Sequence, residues 1–268
     1  MNILYKYCDQ VGIVNIIGAL ELKLPYISEV NDPLECLPVF YCPNDKPAIE
    51  ALYISAIKNK KMLESEKSNE QFENGEIQKK LEEAIRKLIH DAKQKSFLLS
   101  VSKEARSIVM WANYADKHKG AIIGLDFDRI QLHGLGMHPV SYSKQRPRIN
   151  ILEDFDSSGS VEKYFEKIAL TKSDEWAYEQ EFRTIFNESC LTNLEKQNLA
   201  CLKDFHGMKT WFLRLNPESI REVIFGLYTD EGLKLAIRKL MEQSQLKHVK
   251  LYQTEVLETY SFKLVNIT

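Results

Sequence analysis

Glu179, Glu181 and Arg183 fall at every second position of WAYEQEFR, with Tyr178, Gln180 and Phe182 between them. On a strand, that period puts two carboxylates and a guanidinium on one face and the aromatic rings on the other. On a helix it stacks Glu179 over Arg183 and Tyr178 over Phe182 at four-residue spacing. The period leaves both open, while the aromatic content and the following Thr184, Ile185 and Phe186 favour a strand from about Glu179 onward. Two carboxylates on one strand face stand roughly 7 Å apart, close enough to serve one substrate. One can hold a sugar hydroxyl or stabilise developing positive charge while the other polarises a nucleophile. Arg183 would keep both ionised or bind a phosphate. The plainer alternative is a solvated ladder of charges, which contributes little.

Four other stretches carry chemistry-capable residues. MWANYADKHKG brings Trp111, Tyr114 and Ala115 together on a helix and leaves Lys117, His118 and Lys119 in its final turn, where the helix dipole favours cations. Trp111 reads as core, and His118 as a capping or hydrogen-bonding histidine. GLDFD places Asp126 and Asp128 at a strand end, compatible with a divalent metal but equally with turn formation. HGLGMH, with His133 and His138, has neither a zinc spacing nor a complete phosphate loop around Gly134 and Gly136. KQRPR gathers Lys144, Arg146 and Arg148, a local anion site or a solubilising loop.

The elements that must position these residues alternate without a regular strand-helix rhythm. ILYKYC, SFLLSVS and AIIGLDFD read as strands, with Ser102 set to cap a helix that begins at Lys103 and ends before Gly120. VGIVNIIGALELKLPYI reads as a helix or turn followed by an extended segment, and NDPLE is a turn because Pro33 biases Asp32 out of the helical region. From Pro47 to Lys95 the pattern is that of a charged helical hairpin turning near Asn74-Gly75, whose second arm repeats Ile77, Leu81, Ile85 and Leu88 at helical spacing. HPVSY is a strand, SSGS a polar loop and VEKYFEKIALTK a helix. MKTWFLRL and REVIFG are strands, DEGLKLAIRKLMEQ is a helix, and HVKLYQT and VLETYSFKL are two closing strands. The expectation is a single α+β domain spanning 1–268, with a mixed, mostly antiparallel sheet, flanking helices and the hairpin 47–95 inserted into it.

Composition narrows the function classes. The chain has 268 residues, 44% of them hydrophobic, and balances 36 basic against 38 acidic side chains. That is enough to bury a core and too neutral to attract nucleic acid or an anionic membrane as a whole. No apolar run reaches the roughly 20 residues of a spanning helix, and MNILYKYCDQ lacks a signal-peptide pattern, so a cytoplasmic protein without membrane contact is expected. Cys8, Cys36, Cys42, Cys190 and Cys201 are odd in number and contain no Cys-x-x-Cys, which points to reduced, mostly buried side chains.

LYKY, NDPLE, SVS, MWANYADKHKG, VSY, WAYEQEFR and EVIFG, in this order, resemble the bacterial and phage family designated domain of unknown function 2971. A second resemblance, to ADP-ribosyltransferases, rests on an early strand with tyrosines and a basic residue, a serine-bearing strand and a late Glu-x-Glu. It implies an enzyme that uses NAD and transfers ADP-ribose to a protein or nucleic acid, as a toxin or phage-defence effector. It further implies Lys6 with Tyr5 or Tyr7 near NAD, Ser100 and Ser102 bracing the site, Glu181 as the catalytic carboxylate and Glu179 as the acceptor-activating group; Arg183, from the strand reading above, is the remaining cofactor-binding candidate. Lys6 stands where those enzymes carry Arg or His, and Val101 where they carry Thr. Two other classes stay open. One is a metal-dependent nuclease or hydrolase using Asp126, Asp128 and the Glu179/Glu181 pair; the other is a partner-binding module whose interface is the hairpin 47–95.

Overall fold

The computed structural model describes residues 3–58, 75–130, 132, 135–154, 161–242 and 245–268. Asn74 of the hairpin turn, His133 and Gly134, and the SSGS loop at 157–160 lie outside the described residues. In chain order the described strands are β1 (Ile3–Cys8), β2 (Glu21–Leu24), β3 (Val39–Tyr41), β4 (Ser96–Ser102), β5 (Ala121–Asp126), β6 (His138–Pro139), β7 (Ser141–Ser143) and β8 (Arg148–Asn150). They continue with β9 (Thr171–Ser173), β10 (Glu181–Asn187), β11 (Ala200–Phe205), β12 (Met208–Arg214), β13 (Ile220–Phe225), β14 (Lys250–Val256) and β15 (Phe262–Asn266). The fold is α+β, with a mixed, mostly antiparallel main sheet, as the sequence led us to expect.

The chain divides into two compact units. The first comprises Met1–Pro25, Phe97–Val140 and Glu175–Thr268; the second comprises Tyr26–Ser96 and Ser141–Asp174. The first is built on an eight-stranded sheet in the order β15-β14-β13-β5-β1-β4-β10-β6. β5 is buried at every position because it is central and covered on both faces, which is why AIIGLD reads as a continuous apolar run. β13 and β14 are parallel, so a crossover must join them, and the helix Glu231–Glu242 lies in that connection with Leu233, Ile237 and Met241 buried. A smaller antiparallel sheet, β11-β12-β2, completes this unit.

One face of the main sheet packs on the helix Ile108–Tyr114. Trp111 is 0% exposed and touches Tyr7 edge to face, with Met110, Ala115, Ile122, Ile224 and Phe262 around it. Its indole N–H donates to the Ala105 carbonyl at 2.9 Å, so the polar end of this large side chain is satisfied within the core. The helix starts five residues later than its sequence suggests. Ser107 caps it, whereas Ser102 accepts from the Glu104 amide and donates to the Glu179 carbonyl, and so cannot cap. After Tyr114 the chain passes through three successive left-handed residues, Asp116, Lys117 and His118.

The second unit holds the helices Lys46–Lys58 and Glu76–Lys95, within the span 47–95 read as a hairpin, and the segment between them lies outside the described residues. Ile77, Leu81, Ile85 and Ile89 form the buried stripe of the second arm. Short parallel pairs, β3 with β8 and β7 with β9, accompany them. Asp32 is buried and accepts the Leu34 amide, the turn chemistry expected of NDPLE.

The left-handed turn is locked by two glycines. A Cβ on Gly226 would stand 2.2 Å from the His118 carbonyl oxygen, and one on Gly120 2.1 Å from that of Cys8. Backbone cannot yield as a side chain can, so Gly226→Ala is expected to cost about 2 kcal/mol or more. The check is a lower urea midpoint at unchanged m-value.

Candidate functional site

Tyr5 pairs with Ser102 across β1 and β4, so their side chains leave the sheet on the same side. Alternation then places Tyr7 and Ser100 on that side as well, and Lys6 and Val101 on the other. Glu181 joins the first set. Its Oε1 accepts from the Ser100 hydroxyl and from Arg183 Nε at 2.8 Å, and its Oε2 accepts from Arg183 Nη2 at 3.0 Å. Glu181 is 6% exposed and Arg183 1%, so the ion pair lies out of water, where two-point bonding fixes its geometry.

Glu179 reaches the same face by a different route. It ends the 3-10 segment Asp174–Glu179, and Gln180, at φ 42°, turns the chain into β10, which begins only at Glu181. The strand expected from Glu179 onward is thus two residues shorter, because a left-handed residue breaks its ladder. The Glu179 carboxylate accepts the Tyr114 hydroxyl at 2.5 Å, and its carbonyl accepts Ser102 Oγ at 2.5 Å. Glu179 is 3% exposed.

Lys6 bridges rather than faces this cluster. Among the described residues β1 and β4 share a single register pair, Tyr5–Ser102, whereas β1 and β5 pair along all six residues of β1. Beyond that pair, Lys6 Nζ donates to the Ser100 carbonyl at 3.0 Å, replacing a backbone amide. Burial pushes its ammonium below the ordinary lysine value, opposed in part by the Glu181 charge. The Tyr5 hydroxyl donates to Glu222 Oε1 at 3.0 Å and the Tyr7 hydroxyl to the Glu104 carbonyl at 2.7 Å. Burial raises both phenols well above their ordinary range, with Glu222 adding to the effect at Tyr5.

The structure therefore brings Tyr5, Tyr7, Ser100, Ser102, Glu179, Glu181 and Arg183 to one side of three neighbouring strands, with Lys6 closing the seam behind Ser100. Three participants went unassigned in the sequence reading: Tyr114, Glu104 and Glu222. Tyr114 carried a signal, since it lies one helical turn from Trp111. Glu222 heads the EVIFG motif, but its contact with Tyr5 depends on a strand pairing across ninety-odd residues.

The other candidates stand apart. Asp126 is held by Arg129 at 3.2 Å, while Asp128 is exposed at the lip of a cleft of about 450 Å³ lined by Leu4, Lys103, Met137 and Phe182. Phe182 and Glu181 are adjacent on β10, so alternation aims Glu181 away from that cleft. Among the described residues no group of three or more His, Cys, Asp or Glu is placed to hold a metal. Arg148 in the second unit stacks over Tyr41 at 5.0 Å, and Arg146 and Lys144 are exposed. Cys8, Cys36 and Cys201 are buried and Cys42 and Cys190 partly exposed, and all five are reduced, outside any disulfide. No described helix is long and apolar enough to cross a membrane.

His118 stacks on Trp111 with ring centroids 6.2 Å apart, and its buried Nδ1 has no hydrogen-bond partner among the described residues. Burial lowers its pKa from the ordinary value near 6.5. The unfolded chain then binds more protons than the folded one as pH falls, so the stability contributed by neutral His118 is complete above about pH 6.5 and is lost as pH falls through the folded value. Melting temperature is expected to rise between about pH 5 and 7, and His118→Gln should flatten that rise.

Fold and site together define an α+β protein whose serine strand and Glu-x-Glu strand meet at a buried carboxylate. Residues 110–184, which hold MWANYADKHKG, VSY and WAYEQEFR, match the model of the family described as "Protein of unknown function (DUF2971)". The match bears out the family resemblance read from those motifs. No curated protein and no solved structure matches the chain.

Proposed function

We propose that the chain is an NAD-using enzyme of the ADP-ribosyltransferase type, with a protein or nucleic acid as acceptor. The observation that supports this reading most is the contact of Ser100 with Glu181, which joins two strands distant in sequence at one carboxylate. A ribose-bearing donor suits the side chains gathered there: carboxylates and hydroxyls for sugar hydroxyls, and phenol rings for a planar base. NAD supplies a ribosyl carbon whose bond to nicotinamide breaks with the electron pair leaving on nicotinamide, while the acceptor's lone pair forms the new bond and its proton passes to a base. Glu181 would face the positive charge that develops at that carbon, where a fixed anion in low dielectric acts most strongly. Ser100 and Arg183 hold its carboxylate in one rotamer, so little reorganisation is needed. Glu179, braced by Tyr114, would orient the acceptor and take its proton.

The burial of Glu179, Glu181 and Arg183 favours a second reading, a structural bracket that pins β10 to β4. The two readings part on activity. Purified protein given NAD and cell extract should release nicotinamide, and Glu181→Gln should lower that release by about 10²-fold or more while the variant still melts cooperatively. Absence of release by the unmodified protein, with a loss of about 3–5 kcal/mol in Glu181→Gln as for a broken buried ion pair, would leave only the bracket.

A further inference from the structure

Glu222, the first residue of EVIFG, is an acidic group on this face that the proposed reaction does not use. Across the sheet, Ser102, Tyr5, Gly124 and Glu222 form one continuous row: Tyr5 pairs with Ser102 on one side and with Gly124 on the other, and Gly124 pairs with Glu222. A side chain on β13 would ordinarily be separated from one on β1 by the intervening β5 residue. Here that residue is glycine, and the Glu222 side chain lies over it. A Cβ at Gly124 would stand 2.5 Å from Glu222 Cγ and 3.2 Å from its Oε1. The missing side chain thus makes a trough, and Glu222 crosses it to accept the Tyr5 hydroxyl.

This arrangement spends only half of the carboxylate. Oε1 is engaged by Tyr5, whereas Oε2 has no hydrogen-bond partner among the described residues, and Glu222 and Tyr5 are both partly exposed. The result is a fixed acceptor oxygen beside a phenol ring. Arg106, exposed, and Glu104 are the other charges within reach of Tyr5. A carboxylate so held suits a neighbouring pair of hydroxyls, the pattern by which acidic side chains bind the ribose of dinucleotides, and the ring offers a face to a base. β4, which carries Ser100 and Ser102, and β13 stand three strand spacings apart, about 14 Å. One elongated ligand can therefore span the Glu181 end and the Glu222 end of the row.

We infer that Glu222, carried over Gly124 and oriented by Tyr5, binds the ribose diol of an adenosine moiety at the end of the face remote from Glu181. The inference rests on the nucleotide reading above, with which it shares a ligand class, but it concerns a different end of the site and does not need the transfer step. Adenosine and NAD are the probes, titrated calorimetrically into the full chain. Adenosine is expected to bind, Glu222→Gln to weaken it about tenfold as for a lost charge-assisted hydrogen bond, and 2′,3′-dideoxyadenosine to bind both proteins with equal, weaker affinity. Gly124→Ala, which displaces Glu222 while keeping its charge, should mimic Glu222→Gln.

Equal weakening of adenosine and its dideoxy analogue by Glu222→Gln would overturn the inference, because a merely structural effect does not depend on the hydroxyls. Adenosine and NAD affinities unchanged in Glu222→Gln, or no binding of either probe to the unmodified protein, would also overturn it. Hydroxyl-dependent binding through Glu222 without nicotinamide release keeps this site and removes the transferase reading. Nicotinamide release with Glu222→Gln indifferent to both probes does the reverse.

Discussion

A single buried carboxylate organises the face of the sheet on which the candidate residues meet. Glu181 is taken out of water, and a charge so placed is tolerated only when its partners are complete. Arg183, on the same strand, supplies two parallel bonds, and Ser100 a third that ties β10 to the serine strand. Glu179 follows from the same constraint. The turn at Gln180 lifts it off the strand line, and Tyr114 on the covering helix receives it. Helix, serine strand and acidic strand are thereby tied by hydrogen bonds that leave little freedom in rotamer or spacing.

The arrangement depends equally on small residues. Gly120 and Gly226 admit a left-handed turn whose three non-glycine residues each carry a conformational cost, and the turn in turn seats His118 on Trp111. Gly124 opens the surface on which Glu222 lies. In each place the absent side chain is what allows two distant segments to touch.

Much of this was legible in the residue pattern. Short apolar runs marked β4 and β5, which are buried on both faces, and helical spacing marked the helix Glu76–Lys95, because single-faced burial on a helix imposes a period that survives without coordinates. The pairing of Glu181 with Arg183 was legible too, since residues two apart on a strand share a face. What escaped was set by long-range competition. Ser102 carries an ideal capping hydroxyl, yet Glu179 claims it from 77 residues away, and the helix start moves to Ser107. Gln180 looks like any strand residue, but its positive φ ends the ladder. β11, with exposed Leu202 and Lys203 beside buried Ala200 and Cys201, offers no clean alternation and was not foreseen.

The seam between β1 and β4 is joined differently from that between β1 and β5. β5 is zipped to β1 by peptide groups along all six residues of β1, which no change of side chain can remove; at the β1–β4 line, among the described residues, one register pair and one ammonium do the joining. Beside a continuous seam, the β1–β4 line is accordingly a short row of rivets. Chemistry confined to the tip of Lys6, such as acylation of its amine, would remove one of those rivets and leave the β1–β5 seam whole.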